Sequence, residues 1–365
     1  MLRTSYLMLF LTVFFFSCDT DAVNEELLVS NTTTTTASQT TNALEDQESV
    51  QELGDFETIR GSDGCTNVVV VNGFAYATCG NSIQIAELAT DQRSSVAIAA
   101  DDITVDPANE LLFIQRGTTI RMLRYENPME PEVVATVTAN FSVFSGLSAA
   151  NCVLAVSGGA GGSNTRIFNY SASQGTLELA TDGIPIVDNR TGAPDVLVRA
   201  VSGGAQGFYS QDLGNVANWG IQIVNFNGAG EVLSTPDVVV LTAGQFQGPF
   251  GAPFGPANFP VESEYLNGRL YVANFAAEGI EVIDLDNNNA VSQIPLGYDP
   301  INIATDGEFL FVVGVTNNEI DVIDPSSSSV IDSLGALNQP SGVAANATHV
   351  AVADQTLGLV IVPRS

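Results

Sequence analysis

Short apolar runs, separated by turn residues, return along this chain at a fixed interval. Leu270-Tyr271-Val272-Ala273 recurs as Leu310-Phe311-Val312-Val313 and again as Val350-Ala351-Val352-Ala353, each 40 residues after the last. Ile280-Glu281-Val282-Ile283-Asp284 recurs as Ile320-Asp321-Val322-Ile323-Asp324, and Asp299-Pro300 as Gln339-Pro340, at the same 40-residue offset. Each run is strand-sized and bounded by Gly, Asn, Asp or Pro. A period in the 40s built from such runs predicts one four-stranded propeller blade per repeat.

The same b and c strands continue upstream in more divergent form. Gly73-Phe74-Ala75-Tyr76-Ala77 and Ile83-Gln84-Ile85 match Glu110-Leu111-Leu112-Phe113-Ile114 and Ile120-Arg121-Met122, both at 37 residues. Cys152 to Val156 and Val196 to Val201 follow as further b strands, because Ala155-Val156-Ser157-Gly158-Gly159-Ala160 and Ala200-Val201-Ser202-Gly203-Gly204-Ala205 lie 45 residues apart. The expectation is an all-β, seven-bladed propeller of four-stranded antiparallel blades, with b strands beginning near residues 74, 111, 152, 196, 270, 310 and 349. The last blade has strands a, b and c, but the chain stops at Ser365 before a d strand. An unpaired edge recruits foreign strands. Phe56-Glu57-Thr58-Ile59-Arg60 is therefore expected to supply the missing strand, and the propeller to span residues 56–365.

At Tyr271-Val272-Ala273-Asn274, with Ile280 to Asp284, Gly297 to Pro300 and Asp306-Gly307, the chain resembles the YVTN type of β-propeller repeat. Gly358 to Val362 resembles the related LVIVD repeat, with Pro363 where that family has Asp. The match is best between Leu270 and Leu334, fair in the final blade and poor upstream. The resemblance implies a propeller that is often secreted or held on a cell surface. It carries over no catalytic residues.

Ahead of the repeats the composition changes twice. Met1 to Cys18 holds one Arg, an apolar run from Leu7 to Phe16 and then Ser17-Cys18. A run of ten residues, apolar but for Thr12, is too short to span a bilayer, so residues 1–17 are expected to be an export signal. The Ser-Cys end resembles the lipobox of bacterial lipoproteins, which implies lipidation at Cys18, although Phe15-Phe16 departs from that pattern. Ordinary cleavage with release is the alternative. Residues 18–55 include Asn31-Thr32-Thr33-Thr34-Thr35-Thr36, and ten carboxylates with no base lie between Asp19 and Glu57. Such a segment buries too little surface to offset its ordering entropy, so a disordered, self-repelling tether is expected. Asp19 and Asp21, just after the Cys, resemble the surface-export signal of some Gram-negative lipoproteins; a solvated linker is the other reading. The expected location is the outer membrane or cell surface of a bacterium, through the lipid anchor only.

Charge narrows the partners. The 365 residues carry 41 acids against 11 bases, a net −30, and every base is Arg. That field repels phosphate backbones and excludes nucleic acid as a partner. An acidic, Lys-free surface fits saline surroundings or simple compositional drift.

Candidate chemistry is sparse. Cys65 and Cys79 flank a hairpin whose turn is Asn72-Gly73, and 65 + 79 = 144 is one short of the 145 that pairing across that turn requires, so a disulfide is expected in an exported chain. Cys152 reads as a buried apolar residue. His349 is the single histidine and falls at a turn, where solvation is the simpler role. No Gly-x-Ser-x-Gly elbow occurs, and Asp284-Leu285-Asp286-Asn287-Asn288-Asn289 lacks the Gly and Glu of a calcium loop. No catalytic residue, cofactor or metal ligand is expected, and the chain is expected as a monomer.

Loop placement supplies the remaining signal. Strand order puts b–c and d–a connections on one face of the disc, and the three longest stretches without strand pattern all belong there: Ser157 to Thr165, Ser202 to Trp219 and Thr242 to Phe259. Long loops in a compact fold are usually functional. These hold Phe208, Tyr209, Gln211, Asp212, Asn215, Asn218, Trp219, Phe246, Phe250, Phe254, Asn258 and Phe259. Aromatic faces beside amides and carboxylates suit sugar rings or a protein partner. The expectation is a non-enzymatic binding propeller, with a lactonase- or lyase-like propeller enzyme and a structural or adhesion module as alternatives. Several carboxylates and Asn side chains aimed into the central channel would reopen a metal-dependent enzyme.

Overall fold

The computed structural model describes residues 64–138, 144–158, 165–182, 195–212, 219–234, 237–241, 260–274, 278–314 and 318–364. Phe56 to Arg60 lie outside this set, as do Cys18 and the whole tether. Twenty-seven strands form seven antiparallel sheets. Blade 1 is β1 (Cys65–Val71), β2 (Phe74–Cys79), β3 (Ser82–Glu87) and β4 (Arg93–Val96). Blade 2 is β5 (Asp102–Asp106), β6 (Leu111–Arg116), β7 (Thr119–Arg124) and β8 (Glu132–Thr138); blade 3 is β9 (Phe144–Ala150), β10 (Val153–Gly158), β11 (Arg166–Ser171) and β12 (Thr176–Asp182). Blade 4 is β13 (Val196–Val201), β14 (Gly204–Asp212), β15 (Trp219–Asn227) and β16 (Asp237–Val240); blade 5 is β17 (Pro260–Leu266), β18 (Arg269–Asn274), β19 (Gly279–Asp284) and β20 (Ala290–Pro295). Blade 6 is β21 (Pro300–Thr305), β22 (Leu310–Gly314), β23 (Ile320–Asp324) and β24 (Ser329–Leu334), and blade 7 is β25 (Pro340–Ala345), β26 (His349–Asp354) and β27 (Gly358–Pro363). The chain is a seven-bladed β-propeller.

Both faces of each blade are covered by its neighbours, which is why the second strands are apolar on successive residues rather than on alternate ones. β22 is buried at every position, and β2 and β26 at all but their first, whereas outer strands such as β8 and β20 are mostly exposed or half-buried. The apolar core is correspondingly divided into seven clusters, one at each blade–blade junction. Phe113 and Phe168 pack between blades 2 and 3, Tyr271 and Val312 between blades 5 and 6, and Ala77 and Ala353 between blades 7 and 1. Small residues at that last junction bring β1 against β25 and β26, so the ring closes by sheet-on-sheet packing.

Six b strands begin within a residue of their expected positions. Blade 4 does not. Val196 to Val201 is its innermost strand, and its b strand is β14, starting at Gly204. The shared Ala-Val-Ser-Gly-Gly-Ala tail thus marks the end of β10 in blade 3 but a tight hairpin turn in blade 4, where Gly203 adopts φ +80°. Most of the stretch from Ser202 to Trp219, expected to be loop, is strand.

The Asn72-Gly73 turn is formed with φ of 50° and 80°, and Val71 pairs with Phe74 as the turn demands. A bulge between Cys65 and Asn67 then shifts the register so that Cys65 faces Cys79, and the two sulfurs are bonded. Among the described residues no cysteine is a free thiol and no helix is long and apolar enough to cross a membrane.

Candidate functional site at the mouth of the axial channel

The seven innermost strands, β1, β5, β9, β13, β17, β21 and β25, surround a channel whose cavity is about 430 Å³. These strands turn one edge to the channel, and the polar residues lining it near the strand starts include Asn67, Asp102, Asp195, Glu262 and Asn302. Ser148 and Glu264 line it further along β9 and β17. Inner strands all start from the face on which the d–a and b–c connections lie, so this polar set stands at that mouth. The described strand ends at Gly158, Asp212 and Pro260 lie on the same face by strand order, and the stretches 159–164, 213–218 and 242–259 are outside the described residues.

These polar groups also stitch blades together. Ser263 donates to Asp195 at 2.6 Å, joining blades 5 and 4. Asn302 donates to Glu262 at 3.5 Å and accepts from the Val343 backbone N–H at 3.0 Å, so it bridges blades 5, 6 and 7. Asn67 of blade 1 donates to Asp102 of blade 2, and the same carboxylate oxygen accepts the Ile103 N–H at 2.8 Å. The Val198 N–H donates to Ser148 at 2.8 Å across blades 3 and 4, and Ser341 donates to the Cys65 carbonyl at 3.1 Å across blades 7 and 1. Six of the seven junctions carry such a bond at the channel wall. Between blades 2 and 3 the link is the Tyr170 hydroxyl, which donates to Asp106.

Five carboxylates, Asp101, Asp102, Asp195, Glu262 and Glu264, line the channel with no basic residue among them, and burial, then neighbouring like charge, raises the proton affinity of the last four. Burial first, and then the Asp195 and Asp102 charges, hold Glu262 well above the usual carboxylate range. Burial pushes Glu264 up to about 8 and Asp195 to about 7, the latter despite the Ser263 hydrogen bond that opposes it. Asp102 rises to about 6 from burial, against the pull of the Ile103 N–H and Asn67. Asp102, Glu262 and Glu264 keep part of their surface against the channel, but the surrounding blades exclude the bulk water that would stabilise their charges. Asp102, Asp195 and Glu264 are thereby placed to change charge between about pH 6 and about pH 8. Among the described residues no three His, Cys, Asp or Glu side chains converge closely enough to hold a metal ion.

Two of the expected surface aromatics lie elsewhere. Phe208 and Tyr209 are consecutive residues of β14 and point to opposite sides of the sheet, Phe208 into the core shared with blade 5 and Tyr209 into the core shared with blade 3. Both are almost fully buried, at 0% and 1% exposure, so neither belongs to a ligand face. Gln211 and Asp212 end β14 and Trp219 begins β15, in pairs Gln211–Gly220 and Asp212–Trp219, at the blade edge nearest the mouth's face. Asn215, Asn218, Phe246, Phe250, Phe254, Asn258 and Phe259 lie outside the described residues. Cys152 is buried in the core between blades 2 and 3, but it is disulfide-bonded and so is more than the apolar filler expected from the sequence. His349 begins β26 and exchanges a 2.9 Å hydrogen bond with Thr348, away from the channel, and partial burial lowers its pKa. Asp284 to Ala290 forms the β19–β20 turn, with Asn288 and Asn289 at φ of 54° and 58°.

The channel carboxylates were not singled out in the sequence, where they are single acids far apart along the chain. One signal was present: Glu262, Asn302 and Gly342 occupy the same position in the 40-residue repeat, 262 + 40 = 302 and 302 + 40 = 342.

No family model matches the sequence, and no curated protein does. Solved structures do. A chain of Kuenenia stuttgartiensis hydrazine synthase aligns at TM-score 0.62 and 11% identity over 85% of this chain and 98% of that one. A chain of the mitotic checkpoint complex aligns at TM-score 0.62 and 11% identity over 91% and 99%, and Saccharomyces cerevisiae Sqt1 at 0.53 and 10% over 83% and 82%. At such identities the likeness is one of fold.

Proposed function

We propose that this chain is an exported, lipid-anchored, non-enzymatic binding propeller that takes a glycan at the mouth of its axial channel. The observation that carries the reading is the set Asp102, Asp195, Glu262 and Asn302 gathered at one mouth, carboxylates that accept hydrogen bonds beside an amide that both donates and accepts. Vicinal hydroxyls need both kinds of partner at close spacing. The described strands that flank the three long connections end on this same face. Anchoring rests on Ser17-Cys18 after the apolar run from Leu7 to Phe16.

A glycan array and a pull-down with residues 56–365 test the binding reading. Selective retention of a glycan supports it; retention of a protein alone contradicts the ligand class, and retention of neither contradicts binding. Anchoring is tested by detergent partition and intact mass: Cys18→Ala is expected to release the protein into the aqueous phase. Recovery of Cys18 as a free thiol or in a disulfide would contradict the lipoprotein reading.

A propeller enzyme is the second reading, favoured by the same carboxylates aimed into the channel. Its test is turnover of lactone or uronate-containing glycan substrates that is abolished by Asp195→Asn.

A further inference from the structure

A second cavity, of about 410 Å³, lies between blades 5 and 6 on the opposite side of the disc, where the a–b and c–d turns emerge. Its floor is one face of blade 5. Arg269 pairs with Asp284 across β18 and β19, Tyr271 with Val282, and Val282 with Ser292 across β19 and β20, so these side chains share one side of the sheet. The Arg269 side chain is 45% exposed, with its Nε 3.5 Å from an Asp284 carboxylate oxygen and its guanidinium also hydrogen-bonded to Tyr271. A guanidinium has five N–H donors, and that of Arg269 lines the groove. Asn287 contributes from the β19–β20 turn, and Pro325, Ser326 and Ser328 close the far wall from the β23–β24 turn.

The neighbouring junction provides an internal comparison. Adding the 40-residue repeat to Arg269 and Tyr271 gives Phe309 and Phe311 in blade 6. There the matching space is filled by the chain's own Arg364, whose guanidinium carbon stands 5.7 Å and 5.1 Å from the two ring centres. Arg364 also forms an ion pair with Asp306 in which both side chains are nearly fully buried. Between blades 5 and 6 the residue one repeat before Arg364 is Asp324, and the groove stands open.

We propose that the groove lined by Arg269, Tyr271, Asp284, Asn287, Ser292 and Ser326 binds a neutral saccharide. Its chemistry is a donor-rich guanidinium beside an accepting carboxylate, with hydroxyl and amide groups around them. Together they match vicinal hydroxyls, and the ion pair leaves little net charge for a charged ligand. An anionic sugar meets the long-range field of a chain with net charge −30. This site is distinct from the channel mouth and does not depend on it.

The test uses the full mature chain against an array of neutral gluco-, manno- and galacto-oligosaccharides with uronate oligomers as a second arm, followed by calorimetry on the best binder. Arg269→Ala and, independently, Ser292→Phe, which fills the groove from an exposed position, are each expected to weaken neutral-oligomer binding at least tenfold with the melting temperature kept. Ser292→Phe carries the test if Arg269→Ala does not fold. The channel reading is scored separately on Asp102→Asn, so that either site can fail alone. Binding left unchanged by both groove variants, preference for uronates, or no binding to any neutral oligomer would overturn the proposal.

Discussion

Ser263, on the inner strand of blade 5, donates a 2.6 Å hydrogen bond to Asp195, which precedes the inner strand of blade 4, and both residues are almost fully buried. One bond thus couples a blade junction to the ionisation of the channel mouth. Ser263→Ala removes a donor that favours the charged carboxylate, so Asp195 should titrate higher still. The expected loss of stability is about 1–3 kcal/mol at pH 8, where Asp195 is ionised, and less at pH 5, where it is protonated. Denaturant unfolding at the two pH values reads this difference; an equal loss at both would contradict it.

Stability should fall as pH rises. Asp102, Asp195, Glu262 and Glu264 all have folded-state proton affinities above those of the unfolded chain. The folded protein then holds more protons than the unfolded one, and stability is lost from about pH 4, the unfolded range, through about pH 8, where Glu264 ionises. Glu262→Gln is expected to flatten this profile, because it removes a carboxyl that holds its proton more tightly in the folded than in the unfolded chain. A profile that rises between pH 5 and 8 would refute the electrostatic account.

The Cys65–Cys79 disulfide pins β1 to β2 at the blade that receives the end of the ring, across a sequence separation of 14. Closing a loop of that size is worth about 3 kcal/mol through the unfolded state. Cys65→Ser with Cys79→Ser should lower stability by about 2–3 kcal/mol and leave the fold intact. Thermal unfolding with and without reductant checks this, and the double variant should be insensitive to reductant.

Blade 7 has three strands among the described residues, and β27 is buried at most positions although nothing described pairs with its outer edge. Gly64, the residue ahead of β1, lies so close to the Gln355 backbone that a Cβ there would fall 2.0 Å from its carbonyl oxygen, which brings the incoming chain beside the β26–β27 turn. Closure by Phe56 to Arg60 is therefore proposed. Deleting these five residues should lower the melting temperature and promote association through the bared edge, whereas deleting Asn31 to Thr41 should do neither. An unchanged melting temperature and oligomeric state in the first deletion would contradict it.

What could be read in the sequence follows the regularity of the turns. Blades 5 to 7 carry short Asn-, Asp- and Gly-rich hairpins at an even interval, so the 40-residue repeat exposes their strands directly. β14 was obscured by its glycines, which resemble loop. Their cause is close approach: a Cβ on Gly204 would lie 1.9 Å from the Phe226 carbonyl oxygen, and one on Gly207 would lie 2.6 Å from the Tyr209 ring. That misreading also turned Phe208 and Tyr209 from core into surface. The channel mouth stayed hidden because a propeller axis assembles one side chain from each repeat. Asn67 and Asn302 are 235 residues apart, 302 − 67, yet line the same cavity.

The central claim, that the channel mouth on the loop-bearing face is the ligand site, is tested most directly by calorimetric affinity for the best array glycan, compared between wild type and Asp102→Asn. Asp102 sits at the mouth and removal of its charge relieves repulsion within the cluster, so the variant should fold at least as stably as wild type. The account predicts affinity reduced at least tenfold, about 1.4 kcal/mol or more, with the melting temperature maintained. Wild-type affinity in that variant would contradict it.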